Sequence, residues 1–110
     1  MSEPTVVVIT NLPTREAALG LAREMIVRRL AACVNVLAEC TSVYRWQGEV
    51  ENATETPVLI KTRAALFPEV EAAIRQVHPY ELPEIIAVPV SCGSSEYLDW
   101  VNAETVISIG

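Results

Sequence analysis

The sequence predicts an α+β fold of the ferredoxin-like βαββαβ type, extended at its C-terminal end by one more helix and strand. Three observations carry this. Short β-branched or apolar runs alternate with two segments whose apolar residues recur at helical spacing. The stretch around Gly48 alternates in character and turns back on itself, as a hairpin does. The chain has 110 residues and is 51% hydrophobic, enough for one core, so residues 1–110 are read as a single domain.

The elements follow in order. Thr5 to Thr10 is a β-branched run closed by Asn11 and Pro13, and it reads as a buried strand. Thr14 then caps a helix that runs toward Leu30, with Glu16 favouring its first turn and Leu19, Ala22, Ile26 and Leu30 as its apolar stripe. Arg28 and Arg29 fall in the last turn, where positive charge complements the helix dipole. Cys33 to Leu37 is a short apolar strand. From Ser42 the residues alternate, with Tyr44 and Trp46 on one face and Val43, Arg45 and Gln47 on the other. Gly48 marks the turn, and Val58 to Thr62 returns antiparallel, with Pro57 placing its start at an edge or bulge.

The second helix carries Leu66, Val70, Ala73, Ile74 and Val77 on its apolar face, with Pro68 in the first turn. It stops at His78, because Pro79 disfavours helical geometry in the residue before it. "EIIAVPV" is the fourth strand, Ser94 or Ser95 caps a short helix through Trp100, and "TVISI" is a closing strand. Helices on one face of the sheet leave the other face bare. Strands such as "VVVI", "VLI" and "IIAV" are apolar on both sides, so the second face expects cover from another subunit.

Composition narrows the function. The net charge is −6, with 14 acidic residues against 8 basic ones, which argues against a nucleic-acid partner. No run of 18 apolar residues exists, so no membrane partner is expected, and the N-terminus lacks signal-peptide character. Together with three unpaired-looking cysteines at 33, 40 and 92, this points to a cytoplasmic protein.

Signatures of catalysis are missing: there is no GxGxxG, no GxSxG and no phosphate-binding glycine loop, so the chain is not read as an enzyme. Cys33 or Cys92 with His78 would make a nucleophile pair only if folding brought them into contact. A metal site is better motivated. Imidazole and thiolate suit copper or zinc, although one histidine and scattered cysteines must converge through folding or across subunits. Tyr44 and Trp46 are read as packing residues, here against another subunit, and Lys61 as an anion contact or a salt-bridge partner for Glu49 or Glu51.

Five segments, "RLAACVNV", "SVYRWQGEVE", "LIKT", "HPYELPEII" and "YLDW", fall in an order and at a spacing that resemble the CutA proteins, from about residue 5 to 105. The resemblance implies a ferredoxin-like homotrimer similar in plan to the PII-type signalling proteins. It also implies that the hairpin with Tyr44 and Trp46 reaches across the trimer interface. It implies a role in divalent-cation tolerance, with copper or another divalent cation as ligand and none required for folding. Carried over residue by residue, Cys33 and His78 become the candidate metal contacts, while Lys61, Tyr80 and Glu81 fall near a cleft between subunits. Cys40 and Cys92 match no family motif. Two functions compete: a metal-response trimer with weak metal sites shared between chains, and a PII-like module holding a small anion or metabolite in its clefts.

Overall fold

The computed structural model describes residues 3–106. Strand β1 (Thr5–Leu12) leads into helix α1 (Arg15–Val27), strand β2 (Cys33–Val36) and a long ribbon of β3 (Cys40–Trp46) and β4 (Glu49–Arg63). A 3-10 turn (Ala64–Leu66) then opens helix α2 (Phe67–Val77), followed by strand β5 (Ile85–Pro89) and helix α3 (Ser95–Glu104). The fold is α+β, with strand order β2-β4-β1-β5 and every pairing antiparallel.

The core lies between one face of the sheet and the two longer helices. Val6, Val8 and Leu12 of β1 and Val58 and Ile60 of β4 meet Ala18, Leu21 and Met25 of α1 and Val70, Ala73 and Ile74 of α2. The alternation of β1 and β4 follows from the two-residue period of a strand with one sealed face. The stripe expected for α2 is buried except at its end, where Val77 is exposed. On α1 the expected stripe holds at Leu30, buried just beyond the helix, and is otherwise displaced. Its buried residues are Ala18, Leu21 and Met25, while Ile26 is exposed. This helix is apolar on more than one side, so contact with the sheet selected the face.

α1 ends earlier than its pattern suggests. Arg29 adopts φ 58, a left-handed conformation, and its N–H and that of Leu30 bond back to the Ile26 and Met25 carbonyls. That is the Schellman arrangement, with arginine where glycine is usual. The strand expected at Val58 to Thr62 is much longer than that run. β4 spans 15 residues and runs straight through Pro57. The Pro57 carbonyl accepts from Leu37, so its missing N–H also faces the side where β2 has just ended. The hairpin turn uses Gln47 (φ 49) and Gly48 (φ 83), the pair of positive angles that a type I′ turn needs.

The second sheet face is not wholly bare. α3 lies over one end of it, and Arg63 reaches the helix terminus, donating to Asn102 O, to Thr105 Oγ1 (2.8 Å) and to Thr105 O (3.1 Å). Farther along, Val7, Ile9 and Leu59 are half-buried, while Ile86 and Val88 on β5 are exposed. Most of the closing strand expected at 105–109 lies outside the described residues. Thr105 and Val106 are not in a strand, and Val106 N–H donates to Arg29 O.

Candidate functional site: a corner and an acidic aromatic cleft

Pro79 stops α2 as the sequence predicts, with His78 as C-cap in extended geometry (φ −81, ψ 127). His78 is buried, and both of its ring nitrogens are engaged. Nε2 lies 2.5 Å from Asn11 O, and Nδ1 is 3.2 Å from the backbone N of Tyr80. A backbone N–H can only donate, so Nδ1 accepts and Nε2 carries the proton toward the carbonyl. The ring also meets Tyr80 edge-on, with centroids 4.7 Å apart. His78 therefore ties the end of α2 to the end of β1.

Beside this corner opens a cleft of about 600 Å³. Its walls come from β3, from the loop after α2, and from Asn11 and Glu55. Pairing of Cys40 with Glu55 and of Tyr44 with Glu51 puts Tyr44, Trp46 and Glu55 on one face of the ribbon. Tyr80, Glu81, Leu82 and Glu84 face them from the loop. Glu55 is only 9% exposed, and neither ion pair among the described residues includes it. Tyr80 holds its proton more tightly than a free phenol. Burial is the main cause, followed by the negative charge of Glu55, the neighbouring Tyr44 and a side-chain hydrogen bond to Glu55. Glu84 accepts from Asn11 Nδ2 at 2.7 Å, and Arg45 donates to Gly48 O in the hairpin turn.

The structure brings Tyr44, Trp46, Tyr80 and Glu81 together and leaves Cys33 and Lys61 elsewhere. Cys33 lies opposite Lys61 in the β2–β4 register, and Lys61 lies opposite Val7 of β1. Asn11, which holds His78, is four strand residues beyond Val7, about 13 Å at the usual rise. Within one chain Cys33 and His78 are thus at different ends of the sheet. Neither ion pair among the described residues joins Lys61 to Glu49 or Glu51. Nor do any three His, Cys, Asp or Glu side chains among the described residues cluster as a metal shell. Sequence does not single out Glu55, because "EVENATETP" holds three carboxylates among mostly polar residues and gives no sign of which one is buried.

A family model described as CutA1 divalent ion tolerance protein matches residues 6–104. The chain belongs to the CutA1 family. A Thermus thermophilus relative named divalent-cation tolerance protein CutA is 43% identical over 90% of this chain and 96% of its own length. Protein CutA of Mus musculus is also 43% identical, over 84% of this chain but 52% of its own, so the chain spans about half of that relative. Among solved structures, CutA1 from Oryza sativa superposes with a TM-score of 0.94 at 37% identity, covering 97% of this chain and 98% of that one. The CutA1 backbone is therefore shared along nearly the whole described chain, cleft included.

Proposed function

We propose that this chain is a non-enzymatic, homotrimeric divalent-cation tolerance protein that binds copper or a related divalent cation weakly, at sites completed by neighbouring chains. The observation that carries the reading is Glu55, a buried carboxylate on the cleft wall that neither ion pair among the described residues includes. Burying such a charge is costly unless a cation or further donors meet it. Family membership supplies the class of cation. The strand order β2-β4-β1-β5 supports a ferredoxin-like plan of the PII-like kind. The apolar rows left open on the second sheet face support assembly with two further copies. Three free thiols fit a reducing compartment such as the cytoplasm.

In this proposal Cys33 is the soft contact, and His78 would join the metal only by giving up both of its present hydrogen bonds. Light scattering on tag-free protein tests the trimer, and a monomer mass at micromolar concentration would sink it. Equilibrium dialysis with Cu(II) and Zn(II) tests the sites. Binding is expected to weaken in Cys33→Ser and Glu55→Gln, and stoichiometry near zero in the unmodified protein would overturn the metal reading. The anion-binding alternative has less support, because Lys61 does not share the cleft with Tyr80 and Glu81.

A further inference from the structure

We propose that the cleft between the β3–β4 ribbon and the loop after α2 binds a small organic ammonium ion. Two independent features point there. The first is charge: Glu55, Glu81 and Glu84 line the cleft, and Glu55 is 91% removed from solvent, leaving 9% exposed. The Tyr80 phenol beside it is neutral and leaves the negative charge uncompensated. The one basic side chain on the wall, Arg45, is directed to the Gly48 carbonyl in the hairpin turn.

The second feature is the character of the walls. Tyr44, Trp46 and Tyr80 line the same cleft as these carboxylates. Aromatic faces attract cations through their quadrupole, and the attraction grows when water is displaced. They also offer apolar contact to an alkyl chain. A hydrated divalent metal ion uses none of this surface, and no three ligating side chains converge among the described residues. Alkylammonium matches both features: its charged head satisfies Glu55, and its carbons lie against the rings. At about 600 Å³ the cleft is within the range of small-molecule sites. This inference shares the buried Glu55 carboxylate with the metal reading but not its soft ligand, Cys33, which lies on another part of the sheet.

The test uses the assembled protein with Trp100→Phe, which leaves Trp46 as its single indole, since the chain has two tryptophans. n-Butylammonium and tetramethylammonium chlorides are titrated against sodium chloride at matched ionic strength, following Trp46 emission and heat. A saturable response to the ammonium salts alone is expected, weakened about tenfold or more in Glu55→Gln, which removes a charge-assisted bond. A second variant, Tyr44→Leu, is expected to weaken binding several-fold and covers the case in which Glu55→Gln does not fold. A response shared with sodium chloride, no saturation, or unchanged affinity in both variants would overturn the proposal. So would a closed cleft, with Trp46 filled over by a neighbouring chain. Cu(II) dialysis on the same samples keeps the two readings apart, because loss of copper binding with ammonium binding intact removes the metal reading alone.

Discussion

His78 Nε2 and the carbonyl oxygen of Asn11 lie 2.5 Å apart, which joins the end of the second helix to the end of the first strand. The two residues are 67 positions apart in sequence, so the contact closes a long loop through a single hydrogen bond. The imidazole is buried and its other nitrogen is occupied by the Tyr80 N–H. Removing it strands a carbonyl and an amide at once. His78→Ala is expected to cost about 2–3 kcal/mol, since each buried group left unpaired costs on the order of 1–3 kcal/mol. Glutamine places an amide N–H near the position of Nε2, so His78→Gln should recover part of the loss. Denaturant midpoints at fixed protein concentration decide it, and equal destabilisation by both variants would contradict the role given to Nε2.

Arg63 is buried, and neither ion pair among the described residues includes it. Instead its guanidinium donates to the last carbonyls of α3 and to the Thr105 hydroxyl. Positive charge at a helix C-terminus is favourable, and here the charge is mostly shielded from water. Arg63→Met keeps the volume and removes the donors, with an expected loss of about 2–3 kcal/mol. Hydrogen exchange should show deprotection concentrated in α3, while β1 amides keep their protection. Uniform deprotection of all elements would argue against a local clamp.

Arg29 holds a left-handed backbone conformation while its guanidinium donates to Glu104 O (3.2 Å) and Ala103 O (2.9 Å). Glycine would relieve the strain and lose the contacts, whereas alanine would lose the contacts and keep the strain. Arg29→Ala is therefore expected to be less stable than Arg29→Gly by about 1 kcal/mol. Thermal unfolding of the two variants side by side measures the difference, and an inverted order would refute the strain argument.

Tyr80 gives a prediction about alkaline pH. Its phenol is raised above the ordinary value of 10.0, first by burial and then by the charge of Glu55. The unfolded chain releases this proton near pH 10, while the folded chain still holds it. Below that pH both states are protonated and the full stability is present. As pH rises through the folded value, the folded state binds more protons and stability falls. Tyr80→Phe should flatten this alkaline slope, and Glu55→Gln should move the phenolate absorbance of Tyr80 toward lower pH. An alkaline slope identical in Tyr80→Phe and unmodified protein would assign it to other groups.

Much of the architecture was legible before folding because it rests on local rules. Pro79 ends a helix through its own ring, the β-branched runs make strands, and Gly48 marks the hairpin. The face of α1 was not legible: Ala22 and Ile26 make as good a stripe as Leu21 and Met25 until the sheet chooses between them. The full length of β4 was also hidden. The mostly polar residues 49–55 carry no burial period, and they are held by β3 and not by the core.

The candidate site divides in the same way. The segment "HPYELPE" was visible as a unit with Tyr80 and Glu81 in it, and the alternation of "SVYRW" placed Tyr44 and Trp46 on one face. That these two segments form opposite walls of one cleft, with Glu55 buried between them, depends on how the ribbon leaves the sheet beside the corner that His78 holds. Sequence by itself determined the order and type of the elements as far as α3, and the family, since these follow from propensities, prolines and short-range spacing. Tertiary structure decided which side chains share a space. Cys33 and His78, both candidate metal ligands, were separated along the sheet, while Tyr80 and Glu55 were joined. The reason is physical: strand register and helix docking are settled by burial of apolar area over the whole sheet, and no local stretch of residues records the outcome.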